Sequence, residues 1–491
     1  MKYEFKTKPY QHQANALKKI FNSEQGHALF MDPGTGKTKI AVDTVGAFYQ
    51  RDQIKKILVL CPINALSVWP KEFRNHSPNV ADIWVRPDIG TSLDKAKAFA
   101  DWVETTKQGN HFYEVDIAVF NYEAIIRRNG TQPIFDELKK WDPDLIILDE
   151  SQKVKTATAQ RSRQAHKLCA EAKFVLLLTG TPIGKNLLDL YSQLKCISPE
   201  IWDGESWTKF RHRYGIFGGK SGYELLGYRN ADELGERYRP YVSTARKEDC
   251  LDLPKVTDIK IPIVWDPTAW ASYERFSQDG MVVHNRQLIF ANIVLTKLLR
   301  MQQMTGHTTA DENGNPVLFN ERKVEYTKDL AENLTEAGQP VIIFARFKAE
   351  IQALQEAFNT PYVIKGGVSA KRRGEISKSW KGEKPLIIQI ASAEALDGLQ
   401  HVCNHAIFFS TDFSWIHYFQ ARGRIDREGQ KNPVTFYHMC MEKSVDYLVI
   451  DTLKEKQDLE KLIKDNPALL VVTRENNDTI NKQDIILEEV E

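Results

Sequence analysis

The chain has no excess charge of either sign, no long apolar run and no cysteine pattern, and each lack narrows what it can be. Lysine and arginine number 66 against 65 aspartate and glutamate, a formal net charge of +1. No global field points to nucleic acid or to a membrane surface, so any polyanion site has to be a local basic surface. No stretch approaches the roughly 20 apolar residues of a membrane-spanning helix. The N-terminal MKYEFKTKPY carries lysines without the apolar segment of a secretory leader. A cytoplasmic protein with neither span nor leader is expected. Cys61, Cys169, Cys196, Cys250, Cys403 and Cys440 are scattered with no Cys-x-x-Cys. They read as buried small apolar side chains in a reducing compartment, not as a disulfide or zinc framework. Internal repeats and low-complexity blocks are missing too.

What is present is the composition of an ordinary globular protein, 42% hydrophobic and 27% charged over 491 residues, too long for one core. The length prior is two or three units. The organising stretch is His27-Ala-Leu-Phe-Met-Asp-Pro-Gly-Thr-Gly-Lys-Thr38. An apolar run leads into a Gly-rich turn, and an amphipathic run follows with Ala41, Val45 and Phe48 on one face, giving strand, loop and helix. Gly34 and Gly36 let the backbone approach an anion, and the loop N–H groups of Gly34, Thr35 and Gly36 with the helix N-terminus supply positive potential. Lys37 is expected to reach the β- and γ-phosphates of ATP and Thr38 to ligate Mg²⁺. Met31 replaces the first glycine of the full phosphate-loop signature.

Upstream, Lys8-Pro-Tyr-Gln-His-Gln13 opens a helix through Ala14, Leu17 and Ile20. The amide of Gln11 suits the edge of an adenine, though by itself a glutamine near a helix start is more often a surface residue. Downstream, Ile57–Leu60, Ile117–Phe120, Leu145–Leu148 and Phe174–Leu178 are continuous apolar runs separated by helix-like segments. Such runs read as parallel strands buried on both faces, with chemistry collecting at their carboxyl ends. Asp149 and Glu150 stand at one such end. Asp149 is expected to hold the metal and Glu150 to act as general base on water. Thr179-Gly-Thr-Pro182 stands at the next, where hydroxyls can bond the acidic pair. Residues 185–320 change character: aromatics (Trp202, Trp207, Tyr214, Tyr223, Tyr228, Tyr238, Tyr241) and glycines are dense, and helical patterns replace buried strands. The aromatics are read as core. Arg211, His212 and Arg213 suit a solvated helix face as well as a phosphate backbone. Strand–helix alternation resumes near 320 with Val341–Phe344, Tyr362–Ile364, Leu386–Ile390, Ala406–Phe409 and Val434–Tyr437. There the informative string is Gln420-Ala-Arg-Gly-Arg-Ile-Asp-Arg-Glu-Gly-Gln430. Arg424 and Arg427 are i, i+3, hence on one face if helical, and two guanidiniums suit a triphosphate.

In this order the motifs resemble superfamily-two helicase-like ATPases, and among them the Swi/Snf family of double-stranded DNA translocases, over residues 8 to 450. Tyr10-Gln11 is similar to that family's glutamine motif, MDPGTGKT to motif I, and Leu60-Cys-Pro-Ile-Asn-Ala-Leu-Ser-Val-Trp-Pro-Lys-Glu-Phe73 to motif Ia. Phe120-Asn-Tyr-Glu123 resembles the next DNA-facing motif, Asp149-Glu-Ser-Gln152 motif II, and Leu178–Ile183 motif III. Ala245–Pro254 resembles the entry to the linker, Leu299-Arg-Met-Gln302 the Leu-Arg-Gln element, and 420–430 motif VI. Two departures stand out. Gln152 replaces a histidine, and Ala391–Gln400 lacks the usual Ala-Gly-Gly of motif V while keeping Gly398.

The resemblance implies an α/β fold of two RecA-like parallel-sheet lobes. Lobe one would span 1–184, helical protrusions and a linker 185–320, and lobe two 321–465, with an acidic tail over 466–491. It implies a DNA-dependent ATPase and double-stranded DNA translocase. ATP and Mg²⁺ would sit in the cleft among Gln11, the 34–38 loop, Asp149 and Glu150 from one lobe and Gly398, Gln420, Arg424 and Arg427 from the other. Ser67, Lys71 and Asn121 on lobe one and Arg346 and Ser392 on lobe two would grip the phosphate backbone without reading sequence. A monomeric, minimal bacterial or phage motor is expected, acting on DNA or on a DNA-bound protein. A strand-separating or fork-remodelling helicase on the same fold, or a nucleotide-gated DNA clamp that does not move, remain alternatives.

Overall fold

The computed structural model describes residues 3–465 except positions 89, 108–113, 127–130, 184–185, 220–223, 251, 286, 292–293, 395 and 397. The tail expected over 466–491 and the aromatic Tyr223 lie outside the described residues, as does part of the Ala391–Gln400 motif. Two parallel sheets dominate. In the first, the order across the sheet is Ala81–Val85, Val115–Asn121, Lys56–Cys61, Leu145–Asp149, Phe174–Thr179, Gly26–Met31 and Val242–Ala245, every pair parallel. In the second it is Val256–Ile263, Val434–Met441, His405–Phe408, Val341–Ala345, Leu386–Gln389 and Val363–Ile364, again all parallel.

The apolar runs form strands because successive side chains alternate between two covered faces. Leu58, Leu60, Ala118, Phe120, Ile146 and Leu148 face one cluster, which includes Phe99, Leu138 and Trp141 from the helices Ser92–Lys107 and Pro133–Trp141. Their neighbours Ile57, Val59, Ile117, Val119, Leu145 and Ile147 face the other, with Ile40, Val42 and Val45 of the helix Lys37–Gln50. The second sheet is sandwiched in the same way. Each such Leu, Ile or Val contributes roughly 1.5–3 kcal/mol on burial, before the cost of ordering the chain.

Three strands escape the apolar-run reading, for a shared reason: they lie at sheet edges, where polar residues and short length are tolerated. Ala81–Val85 is half-buried throughout. Val256–Ile263 carries Asp258, Lys260 and Pro262, and proline is acceptable only at such an edge. The segment 185–320, expected as helical protrusions and a linker, therefore also supplies strands to both sheets, Val242–Ala245 to the first and Val256–Ile263 to the second. It further contains three antiparallel hairpins, at 215–228, 281–290 and 308–318. Its aromatics are core: Trp202, Tyr214 and Tyr238 are buried, and Trp207, Tyr228 and Tyr241 pack against them. Arg213 pairs with Glu205 and Glu233, and Arg211 lies over the Phe217 ring. All six cysteines are free, and five of them are buried. Among the described residues no helix is long and apolar enough to cross a membrane.

Candidate functional site: the cleft between the two sheets

The loop after Gly26–Met31 has the backbone that its glycines require. Gly34 and Gly36 lie at φ +86° and +82°, a region that costs an L-residue roughly 1–2 kcal/mol. Gly36 caps the helix that begins at Lys37, so the first-turn N–H groups of Lys37 and Thr38 point into the cleft end of the helix. The Lys37 ammonium donates to the carbonyls of Met31 (2.8 Å) and Asp32 (3.0 Å), within its own loop. Thr35 is buried; its hydroxyl donates to the Asp32 carbonyl, and its own carbonyl accepts from Gln13 Nε2 at 3.0 Å.

The glutamine locked to this loop is thus Gln13, with its Oε1 accepting from the Tyr10 N–H. Gln11 is exposed at the first turn of its helix and donates to Asn15. Two residues of helix rotate a side chain by about 200°, so only one of the pair can face the loop. Gln11 is expected from the sequence on an adenine edge, a different contact from the one Gln13 makes with the loop.

Asp149 ends its strand, and its Oδ2 accepts from the Trp69 indole at 3.1 Å, while its carbonyl accepts from the Tyr122 hydroxyl at 2.8 Å. Burial first, then the neighbouring Glu150, raises its carboxyl to about 7. The Lys37 charge offsets this only in part, and a divalent cation held by Asp149 with Thr38 would offset it further; the carboxylate and hydroxyl donors fit a hard oxygen-seeking metal. Glu150 sits at φ +54°, turning the chain away from the sheet. Gln152 Nε2 donates to the Glu150 carboxylate at 2.6 Å, its Oε1 accepts from the Thr179 hydroxyl at 2.6 Å, and that hydroxyl accepts from the Thr181 N–H at 2.9 Å. The hydroxyl cluster at the strand end therefore reaches the acidic pair through Gln152.

The second sheet faces this loop with the chain following the helix Trp415–Arg422. Gln420 is buried on that helix. Arg424 and Arg427 are not on it. The helix stops at Arg422, and the chain goes on as turns held by Arg424 N–H to Ala421 and Ile425 N–H to Arg422 carbonyl bonds. Gly423 there packs beside the phosphate loop: a Cβ on it would stand 3.4 Å from the Pro33 ring, in ordinary contact. Arg424 donates to the carbonyls of Gln420 (3.0 Å) and Leu396 (2.7 Å). Arg427 lies against the phosphate loop itself: a Cβ on Gly34 would be 3.4 Å from Arg427 Cβ. Further links join the two halves here. Lys247 is ion-paired with the buried Asp426, the Tyr10 hydroxyl donates to Glu428 at 2.7 Å, and Lys153 stands 3.8 Å from Glu394. Gly398 lies at φ +85° with open space beside it.

Of the residues expected to meet DNA, Ser67 and Lys71 are exposed. Asn121 is buried with its amide on Glu123. Arg346 is bonded to Gln302 of the Leu299–Gln302 element and lies over the Phe347 ring, and Ser392 is buried. Sequence reasoning passed over Gln13, Trp69, Tyr122 and Lys247. The two aromatics stood inside the strings similar to motif Ia and to the next motif without a role of their own, and only the need of a buried indole N–H or phenol for a partner hinted at one.

Compared with known families, residues 10–312 match the SNF2-related domain and residues 322–429 the helicase conserved C-terminal domain. The chain belongs to the SNF2-related family. Its two parallel sheets are the two RecA-like lobes of that family's core. Relatives of this SNF2-related chain include the ISWI chromatin-remodeling complex ATPase ISW2 of Saccharomyces cerevisiae, 23% identical over 93% of this chain and 41% of that protein. An uncharacterized ATP-dependent helicase, YqhH of Bacillus subtilis, is 22% identical over 97% of this chain and 84% of its own length. The chain thus spans about two-fifths of the yeast relative and most of the bacterial one. Among solved structures, the Sulfolobus solfataricus SWI2/SNF2 ATPase core in complex with dsDNA is 20% identical, covers 96% of each chain and has a TM-score of 0.42.

Proposed function

We propose that the protein is an ATP-driven motor on double-stranded DNA, hydrolysing ATP between its two lobes. The observation that carries this reading is the seating of Arg427 from the second lobe directly on the Gly34 loop of the first. A triphosphate entering that interface would displace the Lys37 ammonium from the Met31 and Asp32 carbonyls and meet the N–H groups of the loop. Thr38 and Asp149 would hold Mg²⁺, which when bound neutralises phosphate charge. Glu150, oriented by Gln152, would accept the proton of the attacking water, and Arg427, with Arg424 and Gln420 behind it, would stabilise charge as it spreads over the transferred phosphoryl group. With the cations on one lobe and the cradle on the other, turnover requires the lobes to be together, and coming together is the stroke. Ser67 and Lys71 form the exposed part of the lobe-one grip, and phosphate contacts make binding independent of sequence.

The test is ATPase with and without duplex DNA for the unaltered chain and for Lys37→Ala. Stimulation by duplex that Lys37→Ala abolishes is expected; retained turnover in the variant would remove the site, and stimulation by RNA alone would remove the DNA reading. Displacement of a triplex-forming strand without unwinding of a forked duplex separates translocation from strand separation. A static clamp would do neither.

A further inference from the structure

Two buried side chains, from two segments of lobe one that resemble DNA-facing motifs, end on the same residue. Trp69 opens the helix Trp69–His76, is 1% exposed, and has Ser67 and Lys71 exposed on either side of it. Its indole N–H donates to Asp149 Oδ2 at 3.1 Å. Tyr122 follows Asn121 at the end of its strand, is also 1% exposed, and its hydroxyl donates to the Asp149 carbonyl at 2.8 Å. A buried indole and a buried phenol each need a partner, but core packing does not require that both choose Asp149, the strand-end carboxylate that interacts with Lys37 of the nucleotide loop. The strand ladder runs out at Asp149, leaving its carbonyl to Tyr122. Trp69 takes one carboxylate oxygen, Oδ2.

We infer that Trp69 and Tyr122 are positioning residues through which the DNA grip of lobe one and the nucleotide site set each other's affinity, with Asp149 as the junction. The inference rests on the motor reading above. A shift of the helix bearing Lys71, and of the turn bearing Ser67 that leads into it, on binding phosphates moves the indole, and with it the orientation of the carboxylate. Reciprocity then requires nucleotide binding at Asp149 to alter DNA affinity by the same factor.

The experiment measures the affinity of a labelled duplex by anisotropy, without nucleotide and with a non-hydrolysable ATP analogue plus Mg²⁺, in the unaltered chain, Trp69→Phe and Tyr122→Phe. The ratio of the two affinities is the coupling factor. Each variant removes one donor and keeps a ring in place, and thermal unfolding checks that it still melts cooperatively. A hydrogen bond to a charged group is worth about 1.5–3 kcal/mol, so the factor is expected to fall about tenfold or more toward one in Trp69→Phe. A smaller fall, roughly threefold, is expected in Tyr122→Phe, whose acceptor is neutral. Variants in which both affinities change while the ratio stays at the unaltered value would overturn the inference, leaving a purely structural role. If Trp69→Phe does not fold, Tyr122→Phe decides alone. A chain that hydrolyses ATP with Lys37 but shows no coupling at all would overturn this inference and leave the ATPase reading standing. Turnover indifferent to Lys37→Ala would overturn both.

Discussion

Replacing Lys247 by methionine separates what holds the lobes together from what holds each lobe folded. Lys247 lies between the strands Val242–Ala245 and Val256–Ile263. Its backbone N–H donates to Asp32 at 3.1 Å and its ammonium is paired with Asp426, whose side chain is 5% exposed. In the joined arrangement, removing the ammonium leaves a buried carboxylate without its cation, a cost of about 3–5 kcal/mol if the group stayed buried. Parting of the lobes hydrates Asp426, so the penalty shifts the joined–parted equilibrium instead of unfolding the chain. The Lys247 head is itself partly solvated. About 1.5–3 kcal/mol is then the appropriate figure, a 10- to 150-fold loss of the joined form. Distance between fluorophores placed one on each lobe, read in saturating non-hydrolysable nucleotide, should increase, while the unfolding midpoint moves by less than about 2 °C. Asp426→Leu combined with Lys247→Met should recover much of the joined population, because an apolar pair carries no stranded charge. If single and double variants are displaced equally, with a coupling below about 0.5 kcal/mol, the pair does not hold the lobes and the reasoning fails.

Arg427→Ala should leave nucleotide affinity within a few-fold while kcat falls by about 10³ or more, read from nucleotide binding and steady-state ATPase on one preparation; an equal fall in both would contradict a charge-stabilising role. Glu150→Gln should bind nucleotide yet not turn it over, checked by trapping the nucleotide complex. Gly34→Val should abolish turnover through strain at φ +86° and crowding of Arg427, whereas Gly314→Val, at φ +85° on an open hairpin, should cost only stability. His27, buried in the strand before the phosphate loop, has its pKa lowered to about 3, mainly by burial and then by Lys19. Below about 6.5 the unfolded chain takes a proton that the folded one refuses, so stability is full at neutral pH and falls with acid down to about 3. The His27 contribution is about 2 kcal/mol between pH 7 and 5, measurable as a shift in urea midpoint that His27→Gln should diminish.

Both sheets were legible because parallel strands covered on two faces are almost wholly apolar: Ile57–Leu60 and Leu145–Leu148 announce themselves. Edge strands such as Val256–Ile263 were not, since one side meets water and Asp258 and Lys260 break the run. Asp149 and Glu150 were legible from their place after an apolar run, and the phosphate loop from its glycines. The i, i+3 spacing of Arg424 and Arg427 suggested a helix, but the helix stops at Arg422, two residues before the first of them. The bond of Gln13 to the loop, and the two aromatics that touch Asp149, depend on contacts between distant segments, which leave no mark in local sequence.

The first sheet closes with Ala245 and the second begins with Val256. Everything that joins the lobes covalently at that point is the stretch 246–255, whose reach is roughly 35 Å at most. Lobes on so short a leash cannot drift apart between cycles: each parting is a small excursion followed by recapture at high local concentration. The same leash carries Lys247, so the anchor that draws the halves together is mounted on the hinge itself, and lengthening that segment should loosen the motor without touching either lobe.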